Sequence, residues 1–344
     1  RDEDHSLLAL NWNPSARVVD FPQVVAEARR AVAERASSAP LILQKTLTPD
    51  GWRLEGPATQ KLLAKLRHAG RPLSEYVGGR LYRGITTGNN KAFVVNREVR
   101  NKLIDEHESS EEVLKPYLQG EDLSKWHVKS AEQYLIKIES SNNKRHPWSG
   151  MPDTEAERVF ARTYPAIYGR FFDVRENLIN RDDKGKYYWE LRSCTYWHEF
   201  DAVKITSTKV SFNPTFAIDN DKYILGNTSY MILPRVSMEY IIGILNSKIS
   251  FYLSKGIFVQ KQNGWYEVQP KALESFPIPA ISSAATIEAL VKQIQAAKTA
   301  DAQVDIGAWE QQIDERVYAL YGLRPEEIRM IEESVRDGRT GGTV

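Results

Sequence analysis

The sequence predicts an α+β protein: a mixed, twisted β-sheet with flanking helices, followed by a helical hairpin at the C-terminus. Three observations predict it. From Leu81 to Pro279 the chain runs in short apolar, β-branched and aromatic segments separated by turn residues, the texture of sheet. These segments do not alternate with helices at the regular interval of a βαβ fold. Outside them, apolar residues recur every three to four positions, the spacing of helices with one buried face. With 344 residues, 42% of them hydrophobic, the chain has room for a sizeable core and a length typical of two domains.

Residues 1–76 form a mixed lead-in. Phe21 to Ala36 carries Pro22 in a first turn and apolar residues at Val24, Val25, Ala28 and Val32, which predicts a short amphipathic helix. After Trp52, Ala58 to Ala69 places Leu62, Leu63 and Leu66 on one helical face, and Gly70 closes it. Residues 77–280 hold the sheet, with strands predicted at Ala92–Asn96, Gln133–Glu139, Ala202–Ser207, Thr215–Asp219 and Ser229–Leu233. Two long helices are predicted within that block, Glu155–Asn177 and Met238–Leu253, the second a core helix by its apolar spacing. Pro277-Ile-Pro279 is a stiff stop, since proline fixes φ and removes a donor. Residues 281–344 then read as helical: Ile287–Ala300, Ala308–Tyr321 and a start at Arg324-Pro-Glu-Glu, with Asp337–Val344 expected to fray.

Charge is balanced, 46 basic against 45 acidic residues, so any case for an anionic partner rests on where the charges lie. The single cysteine, Cys194, excludes an internal disulfide framework and a cysteine-built zinc site. No signal peptide is evident and no apolar run approaches the ~18 residues that span a bilayer, so a cytoplasmic location and no membrane partner are expected. The start at Arg1, within an acidic Arg-Asp-Glu-Asp segment, leads to the expectation that the chain is part of a longer parent.

The common enzyme signatures are missing: no GxGxxG after a strand, no GxxxxGK[ST], no HExxH and no GxSxG. Histidines 5, 68, 107, 127, 146 and 198 are scattered without metal-ligand spacing, and no metal or catalytic residue is assigned. Asn213-Pro-Thr-Phe216 is similar to the Asn-Pro-Pro-Tyr/Phe tetrapeptide of amino-methyltransferases, in which polar groups hold the target amine and the aromatic stacks on an extruded base. Thr215 replaces the second proline and no Gly-rich cofactor loop precedes it, so it reads as the start of a strand.

Local charge is more informative. Basic residues outnumber acids five to one over Arg80–Arg100, eight to five over Arg158–Arg192 and four to one over Lys248–Lys271. The second stretch is interleaved with Tyr164, Tyr168, Tyr187, Tyr188 and Trp189. Leu81–Val95, LYRGITTGNNKAFVV, combines two glycines, two threonines and two asparagines between Arg83 and Lys91. Such a loop can bring backbone donors close to a ligand, and equally serves as a plain turn.

The order of landmarks resembles the TaqI-like C-terminal specificity domain, the target-recognition region of adenine-specific DNA methyltransferases and of fused restriction-modification enzymes. The matching pieces are Tyr82-Arg-Gly-Ile-Thr-Thr-Gly-Asn-Asn-Lys-Ala-Phe93, Leu114-Lys-Pro-Tyr-Leu-Gln-Gly-Glu-Asp122, Tyr164-Pro-Ala-Ile-Tyr168, Tyr188-Trp-Glu-Leu-Arg192, Gly226-Asn-Thr-Ser-Tyr230, Leu245-Asn-Ser-Lys248 and Phe276-Pro-Ile-Pro279. The tail Val317-Tyr-Ala-Leu-Tyr-Gly-Leu323 resembles the helical segment that follows such domains. The resemblance implies a module that binds double-stranded DNA without reacting. It also implies an upstream adenine-N6 methyltransferase domain in the parent, which would bind S-adenosylmethionine, and a type IIG arrangement if a nuclease is attached; this chain itself would hold no cofactor.

Polarity and loop placement nominate DNA-contacting residues: Arg83, Thr86, Thr87, Asn89, Asn90 and Lys91; Lys144, Arg145 and Trp148; Arg192, Tyr196 and Trp197; and Gln260, Lys261 and Gln262. Two other readings stay open. One is a protein-interaction adaptor of an antiphage complex docking through its terminal helices, the other a self-contained methyltransferase using the degenerate Asn-Pro-Thr-Phe motif.

Overall fold

The computed structural model describes residues 6–8, 22–23, 25–26, 29–30, 41–43, 57–78, 81–129, 132–213, 215–261, 265–281 and 284–340. The chain divides into two compact units, Arg1–His68 and Ala69–Val344. In the first, Ser6–Leu8 pairs antiparallel with Leu41–Leu43 and a helix covers Pro57–His68 with Leu62, Leu63 and Leu66 buried, as their spacing predicts. Of the helix expected at Phe21–Ala36, residues 22–23, 25–26 and 29–30 are helical and the rest lies outside the described residues, as does Trp52.

The second unit is built on two four-stranded sheets rather than one. In the first, Phe216–Asp219, Lys204–Thr208, Ser229–Ile232 and Tyr82–Arg83 lie side by side in that order, all antiparallel. The second is mixed: Ile224–Leu225 runs parallel to Leu114–Leu118, which pairs antiparallel with Gln133–Ile136, itself antiparallel to Val94–Asn96. The Leu114–Leu118 strand escapes a pattern search because Lys115 and Pro116 break its apolar run. Pro116 is tolerated because the pairing with Ile224–Leu225 involves only Tyr117 and Leu118. A three-stranded ribbon is formed by Val210–Ser211, Tyr266–Glu267 and Val259–Gln260, and Pro277–Ile278 pairs with Arg71–Pro72. The proline pair expected to be a plain stop therefore contributes a strand.

Both long helices predicted in the sheet block are divided. Glu155–Asn177 resolves into Asp153–Thr163, Pro165–Phe172 and Arg175–Asn180, because Pro165 cannot donate backward and takes the first position of a new helix. Met238–Leu253 becomes Met238–Leu245 and Lys248–Ile257. At the junction, the Asn246 side-chain amide accepts from Phe216 N–H at 3.1 Å and donates to Phe216 C=O at 2.8 Å. Ser247 caps the second helix through the Ser250 amide. Ala92 and Phe93, predicted as strand, close a helical turn over Asn90–Phe93 that Asn89 caps.

Three helices, Ala284–Ala300, Gly307–Leu320 and Pro325–Thr340, form where the sequence places two helices and the start of a third, and the last is helical through Thr340 where fraying was expected. They pack on the divided core helix. A Cβ on Gly243 would lie 2.4 Å from Ile287 Cγ2, so the two backbones approach at a point where no larger residue fits. Lys248 is held by Glu332 at 2.8 Å and Asp314 at 3.4 Å, and Glu332 also accepts from Tyr318 Oη. At the other end, Glu310 accepts from Trp126 Nε1 at 2.7 Å and meets Lys125 at 2.6 Å.

One ion pair is entirely enclosed. Lys204 and Asp219 face each other in register on neighbouring strands, 2.7 Å apart and both without solvent exposure. Burial pulls the Lys204 ammonium down and pushes the Asp219 carboxyl up, and their attraction opposes both shifts. Further bonds complete the pair: Lys204 Nζ donates to Phe200 C=O at 2.9 Å, and Asp219 accepts the Tyr223 amide at 2.9 Å. Replacing Lys204 by Met leaves a buried, unpaired carboxylate and is expected to cost about 3–5 kcal/mol. Urea denaturation measures this, and a loss below about 1 kcal/mol contradicts the assignment.

Candidate functional site

Three irregular segments, residues 81–91, 140–149 and 181–197, are fastened edge to edge by two buried charged side chains. Glu190 has no exposed surface. Its Oε2 accepts from the amides of Ser141 at 3.0 Å, Lys186 at 2.8 Å and Tyr187 at 3.2 Å. Its Oε1 accepts from Ser141 Oγ at 2.5 Å and Trp148 Nε1 at 2.9 Å. An ionised carboxylate is an acceptor only; its two oxygens offer about four lone-pair sites, and the five donors more than fill them. Arg181 is the converse: its guanidinium donates to the carbonyls of Thr87, Tyr188 and Glu190 and lies 4.3 Å over the Phe93 ring. Burial pulls its pKa down to about 10, with Asp183 opposing the shift.

Smaller contacts complete the platform. Asn143 Oδ1 accepts from Ser193 Oγ at 2.7 Å and from the Cys194 amide at 2.9 Å. Tyr196 Oη donates to Arg83 C=O at 3.1 Å while its ring lies 5.0 Å from that of Tyr82. Arg170 donates to the carbonyls of Lys91 and Ala92. Gly88 turns the first segment at φ +71°, a region that favours glycine. Gly84 is demanded by space: a Cβ there would lie 1.9 Å from Gly226 C=O. Two of the ordered landmarks, Tyr82–Phe93 and Gly226–Tyr230, thus meet backbone to backbone, with Ile85 N–H donating to Leu225 C=O at 2.7 Å.

The outer surface of the platform is cationic. Arg83, Lys91, Lys144, Arg145, Lys184, Lys186 and Arg192 are all exposed on these three segments, against Asp182 and a half-buried Asp183 that pairs with Arg192 at 3.0 Å. Of these, Lys184 and Lys186 escaped the sequence reading, although they sit in one of its basic stretches. Arg83 Nε donates to Asn227 C=O at 3.3 Å, so the platform continues into the Gly226–Thr228 turn. Beyond that turn, Lys209 N–H donates to Thr228 C=O at 2.7 Å, which leads on to the three-stranded ribbon.

The structure sorts the nominated residues. Arg83, Asn90, Lys91, Lys144, Arg145 and Arg192 lie exposed on the platform. Thr86, Asn89 and Tyr196 are half-buried, Asn89 as a helix cap. Thr87, Trp148 and Trp197 are corrected from contacts to internal supports. Thr87 is 2% exposed and its hydroxyl bonds Asn90 and the Asn89 amide. Trp148 is fully buried, stacked on His146 and bonded to Glu190; Trp197 is buried beneath the Lys137 ammonium. Lys261 is exposed on the ribbon and meets Glu267 at 2.5 Å. The Gln260 backbone is in the ribbon; its side chain, and Gln262, lie outside the described residues.

Asn213–Phe216 does not have the makings of a methyl-transfer site. Phe216 is 1% exposed, and both of its backbone groups are held by Asn246, so its ring cannot stack on an extruded base. Among the described residues, no group of three His, Cys, Asp or Glu side chains is arranged to hold a metal ion, and no helix is long and apolar enough to cross a membrane.

The family model of the TaqI-like C-terminal specificity domain matches residues 115–278, which bears out the resemblance read from the ordered landmarks over that span. The Tyr82–Phe93 landmark lies ahead of it. No curated protein matches the chain by sequence. Among solved structures, the chain is similar to the type IIL restriction-modification enzyme MmeI in complex with DNA, at 14% identity and a TM-score of 0.49. The alignment covers 78% of this chain and 36% of that one, so the chain spans about a third of that enzyme.

Replacing Glu190 by Gln presents an amide donor where donors already converge. The expected cost is about 2–4 kcal/mol, with faster amide exchange at Ser141, Lys186 and Tyr187. Denaturation together with hydrogen exchange measures it, and an unchanged midpoint with unchanged protection contradicts the role of Glu190 as the fastener.

Proposed function

We propose that this chain is the DNA target-recognition module of a restriction-modification enzyme. The observation that carries this reading is the specificity-domain match over residues 115–278, a span that contains two of the three platform segments and the ribbon. The platform has the chemistry such a module needs. Exposed lysines and arginines neutralise phosphates and fix register on the duplex, while Asn90 and the arginines carry the hydrogen-bonding groups that discriminate base edges. The buried Glu190 and Arg181 keep these side chains on a rigid base, which reduces the ordering cost of binding.

In the finer form of this proposal, an upstream adenine-N6 methyltransferase domain of a longer parent, of type IIG where a nuclease is joined, binds S-adenosylmethionine and receives the extruded adenine. This chain then supplies only the address, in the cytoplasm. The buried state of Phe216 disfavours a self-contained methyltransferase.

Duplex binding across salt concentrations tests the proposal. The chain is expected to bind random-sequence duplex with an affinity that falls steeply as salt rises. The pair Lys144→Ala and Arg145→Ala is expected to weaken binding to all sequences alike and to reduce the log–log salt slope by about 1.8, or about 0.9 per lost phosphate contact. An unchanged slope removes these two residues from the phosphate contacts. Absence of binding at low salt refutes the DNA reading and favours the adaptor.

A further inference from the structure

Among the described residues five large apolar side chains are exposed, and three of them, Val210, Val259 and Trp265, belong to the three-stranded ribbon. They share one face. Val210, Glu267 and Val259 lie opposite one another across the three strands, so their side chains project to the same side. Trp265, two residues before Glu267, and Lys261, two beyond Val259, follow on that side by the alternation of a strand. The next cross-strand pair points the other way: Ser211 is buried and Tyr266 half-buried. The ribbon is fixed in place, with Lys261 N–H donating to Trp265 C=O and Val268 N–H to Lys209 C=O. Val210 and Trp265 also wall a cleft of about 750 Å³ together with Gln119, Thr208 and Thr228.

An apolar face of this kind, left in water, marks an interaction surface. Its charges indicate the occupant. Lys209 and Lys261 meet the central Glu267 carboxylate at 3.4 and 2.5 Å, leaving two ammonium groups around one acid at the border of the apolar residues. That arrangement suits a polyanion with an apolar feature between its charged edges. Within the ribbon, Val259–Gln260 and Tyr266–Glu267 pair as two antiparallel strands, a shape the major groove of DNA admits, and the thymine 5-methyl group is the apolar feature displayed there.

We propose that the outward face of this ribbon contacts the major-groove edge of duplex DNA and reads the 5-methyl group of thymine through Val210, Val259 and Trp265. The proposal rests on the DNA-recognition reading above and adds the chemical feature that is read. It is tested with a duplex enriched by the 344-residue chain from a random library, prepared once with thymine and once with uracil, which lacks only the methyl group. The uracil duplex is expected to bind about fourfold more weakly for each methyl contacted.

Val259→Ser and Trp265→Ser, which remove the apolar contact at exposed positions, are each expected to shrink the thymine–uracil difference while binding the uracil duplex as the unaltered chain does. Lys144→Ala should weaken both duplexes alike and keep the difference. Equal binding of the two duplexes by the unaltered chain overturns the proposal, as does full discrimination in both ribbon variants or an equal loss on both duplexes. If the unaltered chain binds no duplex at all, the recognition reading falls first and takes this one with it.

Discussion

The buried carboxylate of Glu190 and the buried guanidinium of Arg181 do for the platform what a hydrogen-bonded ladder does for a sheet. Segments 81–91, 140–149 and 181–197 are largely irregular, and irregular backbone packed inside a protein leaves amides and carbonyls that need partners. One side chain that only accepts satisfies the convergent donors, and one that only donates satisfies the convergent carbonyls. Burying either charge alone costs several kcal/mol. Charge-assisted hydrogen bonds of about 1.5–3 kcal/mol each offset that cost, and they do so only when the loops hold one geometry. The charges therefore specify loop shape more than they add stability.

This economy frees the outer surface for function. Since the loops are fixed from below, the exposed Lys91, Lys144 and Arg145 are left to face outward, while Arg83 and Asn90 also bond the Asn227 carbonyl and the Thr87 hydroxyl. The sheets beneath provide the fixed reference: Gly84 and Gly226 let two strands touch at a separation no side chain allows, so the first segment leaves the sheet at a set angle. The C-terminal helices pack on the Met238–Leu245 and Lys248–Ile257 helices and are tied to them through Lys248, Asp314 and Glu332.

Much of this was legible in the sequence. Strand positions at Gln133, Lys204, Phe216 and Ser229 followed from β-branched and aromatic runs, and the terminal helices from their apolar period. The two long helices were overextended because periodicity continues across Pro165 and across Asn246-Ser247, where a proline and a side-chain amide redirect the chain. Leu114–Leu118 was missed because Pro116 disguises a strand paired on both sides. Among site residues, the charged ones were placed correctly on the surface, whereas Trp148 and Trp197 were not. An aromatic in a polar stretch looks the same whether it faces solvent or plugs the base of a loop. Glu190 carried a signal that went unused: a lone acid within Tyr187-Tyr-Trp-Glu-Leu is flanked by residues that bury, so it must find donors.

The central claim is that a rigid platform, continued by the ribbon, is the face that meets DNA. Hydrogen–deuterium exchange of the chain with and without random-sequence duplex at low salt tests it most directly. The account predicts added protection over residues 81–91, 140–149, 181–197 and 259–267, with the helices at 284–340 unchanged. Protection confined to those helices, or none at saturating duplex, would contradict it.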